Sequence, residues 1–442
     1  MHNGAMFGGI AAGTGGDRIH LATSDGHVVT LLVDSGEVCG EFTLHPCAPA
    51  HVGISACASD RDGTLLLADR LHKTVRRFGL DGRALGRFGA RATPGISLAD
   101  RPGVLDDPCA LLPLDDALLV GCGGASMQHG VQRFGRDGAY LDTIIGPAAE
   151  WRSVLGLALV DDEIWVSESG ADALRRFSGT TFVGNVPLPG ELRRPFRIAS
   201  DGFGGVLLLL APETEEEQAV CGIARISRDG TFRGWLVEAG ERGGHVEFPF
   251  DLAVLPDGRF VAADLPLGTP PDVRLQLFGP DGRHLGTLLD DAVALVEKQT
   301  AWFSRLAREG TPYERARVHH YHGGGEAGHL GEAERLYREA LAAEPTALLP
   351  RLGLATLLLG ALARPEEAEG EYLEAIRHGG DSGDLLARVA ECRRARGELD
   401  GAITVLQSAV ESDRPPEEYH RLLDLLGTYY LERAGESPET MI

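Results

Sequence analysis

Through residues 1–290, short apolar runs alternate with polar positions and are cut by Gly and Asp every few residues. Beyond Leu289 the apolar positions recur instead at helical intervals. One stretch reads Leu65-Leu66-Leu67-Ala68-Asp69, five further residues, Val75-Arg76-Arg77-Phe78, then Leu80-Asp81-Gly82. Ile164-Trp165-Val166-Ser167-Glu168 leads through the same spacing to Leu174-Arg175-Arg176-Phe177 and Ser178-Gly179. Looser copies close on Ser35-Gly36, Asp137-Gly138, Asp229-Gly230 and Asp281-Gly282. The turn glycines 36, 82, 138, 179, 230 and 282 are 41 to 56 residues apart, the length of a propeller blade with loop insertions. In the second unit the alternation predicts strands at Gly53–Ser59, Leu65–Asp69, Thr74–Phe78 and Ala84–Phe88. Six such sheets bury their faces only when stacked radially, so the expected fold is a six-bladed β-propeller.

The motif Phe250-Asp251-Leu252-Ala253, Pro256-Asp257-Gly258, Ala262-Ala263-Asp264, together with Leu65–Phe78 and its Asp-Gly turn, resembles NHL repeats over about residues 1–290. The resemblance implies a six-bladed ring, in agreement with the number of units. Where that family commonly has Asn and Arg in the strand-connecting loop, this chain has His72 and Thr74, and Ala171 and Ala173.

In Asp291–Arg308, Val293, Val296, Trp302 and Leu306 recur at near-helical spacing and predict a linking helix. Ala333, Ala368 and Ala402 are then 35 and 34 residues apart, and Ala340, Ala375 and Ala409 repeat those intervals. Small residues at such positions let helices approach closely, Gly397 supplies a turn, and Pro345 or Pro415 ends a helix. The pattern resembles tetratricopeptide repeats over about 313–414, with Glu417–Arg433 as a closing helix. The expected organisation is a propeller at 1–290, a linking helix at 291–312 and a TPR-like α-helical solenoid at 313–442, a multidomain β + α chain.

Composition narrows the partners. Acids exceed bases to give a net charge of −23 over 442 residues. Residues 1–289 carry 25 bases against 37 acids. Such a field repels phosphate backbones, so no nucleic acid is expected. No apolar run has the ~18 residues of a membrane span, and no basic-then-apolar leader is seen. The seven scattered cysteines lack a Cys-x-x-Cys spacing and suit a reducing, cytoplasmic compartment. Lys73 and Lys298 are the only lysines among 42 basic residues, which suggests a GC-rich, bacterial genome.

Candidate chemistry is sparse. Asp69, Glu168 and Asp264 hold the same place in their blades, at the end of the second strand. They are candidate ligands for a divalent metal on the axis, as in a lyase or lactonase-type enzyme. Alternatively they cap loop N–H groups or pair with Arg76, Arg175 and Arg274. His319, His320, His322 and His329 lie beside Gly323-Gly324-Gly325; His319 and His322 share a helix face and are further metal candidates. Cys122, in Gly121-Cys122-Gly123-Gly124, is a candidate reactive thiol. Glycine elbows, zinc-protease helices and phosphate loops are missing.

The leading expectation is therefore a non-catalytic scaffold or adaptor, with no cofactor, whose propeller face and helical groove each take a protein or peptide. Tyr313, Arg351, Arg388 and Glu391 are candidate groove contacts, and Glu215 and Glu216 a docking patch for a basic partner. The metal enzyme is the alternative. An RNA-binding propeller using Arg76, Arg77, Arg175 and Arg176 comes third. Loops joining strands 2–3 and successive blades are longer (Gly89–Asp107, Gly123–Gly130, Ala211–Cys221, Glu238–Glu247, Leu265–Asp272) than those joining strands 1–2 and 3–4. That long-loop face is the expected recognition surface.

Overall fold

The computed structural model of the chain describes residues 7–44, 53–91, 103–123, 130–145, 154–168, 173–190, 192, 195–211, 221–266, 273–323, 325–379, 383–411 and 416–434. They divide into two compact units, Met1–Gln299 and Thr300–Ile442.

The first unit is a six-bladed β-propeller. Blade one holds β1 (Phe7–Ala12), β2 (Arg18–Thr23), β3 (His27–Leu32) and β4 (Val38–Thr43). Blade two holds β5 (Ile54–Ser59), β6 (Leu65–Asp69), β7 (Thr74–Phe78) and β8 (Ala84–Phe88), within one residue of the strands expected from alternation. A short parallel pair, β9 (Ala90–Arg91) and β10 (Val104–Leu105), precedes blade three. That blade has β11 (Pro108–Pro113), β12 (Ala117–Cys122), β13 (Gly130–Gly135) and β14 (Tyr140–Ile145). Blade four has β15 (Val154–Val160), β16 (Glu163–Glu168), β17 (Ala173–Ser178) and β18 (Thr181–Pro187). Blade five has β19 (Pro195–Ser200), β20 (Val206–Leu210), β21 (Gly222–Ile226) and β22 (Phe232–Glu238). Blade six has β23 (Pro249–Val254), β24 (Phe260–Asp264), β25 (Arg274–Phe278) and β26 (His284–Leu289). Every blade is an antiparallel meander in chain order, and the six first strands adjoin one another in a closed ring.

Burial departs from simple alternation in one respect. The second strands β6, β20 and β24 are buried at every position. Each has a strand on either side and a neighbouring blade against either face, so both of its faces must be apolar. Outer strands such as β8 and β18 are mostly exposed. Apolar layers fill the gaps between blades, with Leu66, Phe88, Leu118 and Phe134 between blades two and three, and Trp165, Leu174 and Leu208 between four and five.

The turn glycines do more than reverse the chain. A Cβ on Gly282 (φ +83°) would fall 2.4 Å from the Leu236 carbonyl oxygen on the preceding blade. Gly82 and Gly230 press in the same way on Phe42 and Val186. A Cβ on Gly36 (φ +66°) would fall 2.6 Å from the Leu288 carbonyl oxygen, which repeats between blades six and one the close approach made elsewhere. The ring thus closes by packing of complete four-stranded sheets.

In the helical unit, α1 (Ala292–Glu309) carries the boundary between the two units. Then come α2 (Pro312–His322), α3 (Ala327–Ala343), α4 (Leu348–Gly360), α5 (Pro365–Arg377), α6 (Gly383–Ala395), α7 (Leu399–Glu411) and α8 (Pro416–Ala434). Pro312 opens α2. Thr311 caps α2 in a reciprocal box with Glu314, and Gly397 (φ +81°) turns the chain between α6 and α7. From α2 to α8 each helix packs against the next. Ala333, Ala368 and Ala402 are completely buried at equivalent places on α3, α5 and α7. Tyr337 and Tyr372 fill the layers between them.

Two consequences are measurable by urea unfolding read through β-sheet ellipticity. Gly282→Ala should cost about 3 kcal/mol, from backbone strain and a clash with a carbonyl. Gly179→Ala should cost about 1, because nothing lies within 4 Å of its added Cβ. Equal losses would contradict the packing role. His20 is buried on β2, 2.9 Å from Thr30 Oγ1, and burial lowers its pKa to about 4. Between pH 6.5 and 4 the unfolded imidazole takes up a proton that the folded one refuses. Stability should therefore fall on acidification through that window by up to about 3 kcal/mol. A pH slope unchanged in His20→Gln would refute this.

Candidate functional site

The first strand of each blade carries a β-bulge at one equivalent point, marked by register shifts at Phe7/Gly9, Ile54/Ala56, Pro108/Ala110, Val154/Gly156, Pro195/Arg197 and Pro249/Asp251. A bulge leaves its extra residue unpaired in the ladder, so the carbonyls of Ser55, Cys109 and Leu155 are left to find donors elsewhere. Arg197 supplies them. Its Nη1 donates to Cys109 O and Leu155 O, both at 2.5 Å, and its Nη2 to Ser55 O at 3.0 Å. Arg197 Nε lies 3.7 Å from Asp251 Oδ1, and Asp251 Oδ2 accepts from the Ile10 amide at 2.8 Å. One ion pair therefore touches all six blades at the centre of the ring. Burial pushes the Asp251 carboxyl above its ordinary value, against the opposing pull of Arg197 and of the Ile10 and Leu252 amides. The residues following the bulges are Gly9, Ala56, Ala110, Gly156, Arg197 and Asp251. A Cβ on Gly9 would fall 2.8 Å from Asp251 Oδ2.

Asp69, Glu168 and Asp264 are buried at the ends of β6, β16 and β24, and the structure does not bring them together. Asp69 accepts from His72 Nδ1 at 2.7 Å and from the Gly53, Leu71 and His72 amides. Burial alone would raise its pKa, but the His72 bond and the amides outweigh it and hold the carboxyl below the ordinary value. Glu168 accepts from Arg175 Nε at 2.9 Å. Asp264 takes both Nε and Nη2 of Arg274, at 3.2 and 2.7 Å, and the Glu247 amide at 3.1 Å. The expected pairings with Arg175 and Arg274 are present, whereas Asp69 pairs with His72 in place of Arg76. Among the described residues no three His, Cys, Asp or Glu side chains gather as a metal site, and a guanidinium stands on the axis.

The histidines separate as well. His319 meets His329 across the α2–α3 turn, with the two Nδ1 atoms 2.8 Å apart. His320 reaches the Tyr337 hydroxyl at 3.2 Å, and burial lowers its pKa to about 4. His322 lies in the last turn of α2, and its side chain is outside the described residues, so the shared face with His319 goes untested. Cys122 is buried and burial raises its thiol pKa strongly, which disfavours the nucleophilic thiolate.

The expected groove residues are all engaged within the chain. Arg351 bonds Glu371 at 2.6 Å and the Pro345 carbonyl at 2.5 Å. Arg388 pairs with Glu391 at 2.6 Å. Tyr313 packs with its ring 6.3 Å from that of Tyr337. Glu215 and Glu216 lie outside the described residues, as do most of the long loops expected to mark a recognition face. In the loop Glu238–Glu247, the Gly244 amide donates to Gln276 Oε1 at 2.8 Å. The arginine patch disperses: Arg77 bonds Asp62 and Thr64, Arg176 faces Glu163 and the Trp165 ring, and Arg76 lies over Phe78. Sequence reasoning missed the Arg197–Asp251 pair. Its signal is a charged residue in two blades where the other four have Gly or Ala.

No protein-family model matches the chain, and no curated protein matches it. Solved structures that it is similar to include the WD40 β-propeller domain of Doa1, at 12% identity over 65% of this chain and 83% of that one, with a TM-score of 0.43. A gluconolactonase of Xanthomonas campestris is similar at 16% identity over 62% and 86%, with a TM-score of 0.43. Virginiamycin B lyase of Staphylococcus aureus follows at 12% over 63% and 83%, with a TM-score of 0.41. Enzymes stand among these propellers, so the expectation that the chain is not an enzyme is withdrawn. Among the described residues no helix is long and apolar enough to cross a membrane.

The hub pair can be tested directly. Arg197→Met keeps the stem but strands three carbonyls and a buried carboxylate. It should destabilise the propeller by about 3–5 kcal/mol in urea unfolding, and Arg197→Met/Asp251→Asn should recover part of that loss. A change within about 0.5 kcal/mol would show that the hub is not held this way.

Proposed function

We propose that the chain is a two-module interaction protein, cytoplasmic and bacterial, in which an NHL-type propeller at 1–290 and a TPR-like repeat at 313–442, joined by the 291–312 segment, each engage a protein or peptide. The supporting observation is the repeat packing of the second unit. Ala333, Ala368 and Ala402 are buried at intervals of 35 and 34 residues, so that helix pairs stack as equivalent units. Stacked pairs present one helix of each pair along a common surface that suits an extended or helical peptide. Within this reading the Arg388–Glu391 and Arg351–Glu371 pairs and Tyr313 line that surface, and Glu215 and Glu216 offer acids to a basic partner. The buried Cys122, Cys221 and Cys392 thiols suit a reducing compartment.

Affinity purification of the full chain from its native cells, followed by cross-linking mass spectrometry, tests the proposal. With only two lysines in the chain, the cross-linker must react with carboxyls. Stoichiometric partner proteins, cross-linked to both modules, are expected. Recovery of the chain alone under gentle conditions would overturn the reading.

A further inference from the structure

Among the described residues of α2 only Ala316 is completely buried, so little apolar surface anchors this helix. Its C-terminal turn meets α3 through imidazoles. His319 Nδ1 lies 2.8 Å from His329 Nδ1, with the ring centres 5.1 Å apart. His320 reaches the Tyr337 hydroxyl at 3.2 Å, stands edge-on to that ring, and stacks on Tyr321 with the centres 4.1 Å apart. Tyr337 is itself completely buried. Gly323 lets the two helices come this close: a Cβ there would fall 2.5 Å from the His319 carbonyl oxygen and 2.6 Å from His329 Cβ.

Two imidazole nitrogens at that distance share one proton, one ring donating and the other accepting. A second proton makes both rings donors and sets two cations in contact. The surrounding groups do little to offset that. Arg315 on α2 and Arg335 on α3 add positive charge, and Glu332, the acid beside His319, is already held by Arg335 through bonds of 2.7 and 2.8 Å. Elsewhere on α2, Glu314 accepts from the Thr311 amide and Arg317 lies over the Tyr313 ring. In the turn Glu326 is exposed. On α4, which also touches α2, Arg351 is the one ionisable residue, and it is bound to Glu371. Among the described residues no charged group acts on His320. Burial, joined for His319 by the charge of His329, lowers the pKa of both groups, that of His320 to about 4.

We propose that the α2–α3 hairpin is a proton-sensitive clasp: with one proton between His319 and His329 and a neutral His320 against Tyr337 it holds α2 in the helical stack, and further protonation releases α2. Released, both α2 imidazoles titrate near the ordinary 6.5; docked, they refuse the proton. The docked form therefore keeps its full advantage above that pH and loses it as the pH falls. Through His320 alone, opening of α2 becomes about tenfold more frequent by pH 5.5. Because α2 carries Tyr313, its release withdraws part of the proposed peptide surface, and for that step the inference rests on the interaction reading above. No third His, Cys, Asp or Glu among the described residues joins the pair as a metal ligand.

Pulsed hydrogen–deuterium exchange of the full chain, read by mass spectrometry and corrected for the intrinsic pH dependence of exchange, follows the clasp between pH 7.5 and 5.5. Protection of peptides from 312–332 is expected to fall about tenfold or more, while peptides from α6 and α7 keep theirs. His319→Gln/His320→Gln retains polar side chains that do not titrate and should flatten that fall. In the unaltered chain, histidine-selective carbon-13 NMR, assigned with the single His→Gln variants, should place both titrations below 6.5. Unchanged protection at pH 5.5, the same fall in the double variant, or titrations at or above 6.5 would overturn the clasp. So would a transition that EDTA abolishes, since a metal would then be holding the pair. Exchange needs no partner, so it decides the clasp even where none co-purifies, the outcome that would sink the interaction reading. Partners still held by the helical module at pH 5.5 would overturn the clasp's control of binding while the interaction reading stands.

Discussion

A half-buried arginine facing carbonyls that the strand ladders leave unpaired is the constraint around which the propeller is organised. Bulges in the first strands release carbonyls at the ring centre that no neighbouring strand can satisfy, and Arg197 spans three of them. Asp251 balances the guanidinium and ties in the first blade through Ile10. Buried charge of this kind is a poor source of net stability against an apolar alternative, but it severely penalises any arrangement that breaks it. Its effect is to specify: a ring with a blade missing would leave a charge, a carbonyl or an amide of the hub without its partner.

Around that centre the blades are joined by repulsion avoided as much as by attraction. Most of the turn glycines, Gly179 excepted, sit where a side chain would meet the backbone or side chain of the preceding blade, at Gly36 against Leu288 as at Gly282 against Leu236. The first and last blades therefore meet through the same close turn that joins most other pairs. The buried acids Asp69, Glu168 and Asp264 serve the same end locally, each holding a loop or an arginine of its own blade. Their equivalence across blades reflects a shared structural duty.

Much of this was legible beforehand. The strands of blade two, the turn glycines, the helix at Ala292–Glu309 and the buried Ala333, Ala368 and Ala402 follow from periodicity, because side-chain spacing maps directly onto one face of a strand or helix. The candidate sites were read less well. Arg351, Arg388 and His319 look available in a linear sequence, yet each finds a partner in the chain, with Glu371, Glu391 and His329. Only Arg388 and Glu391 are close enough in sequence for the pairing to be read from helical spacing.

By itself the sequence determined that there would be six sheets and then paired helices, since local alternation and turn chemistry are properties of neighbouring residues. Tertiary structure alone decided that Arg197 and Asp251, 54 positions apart, would meet at the axis. That arrangement is set by ring closure, which brings together residues whose separation along the chain carries no signal of contact.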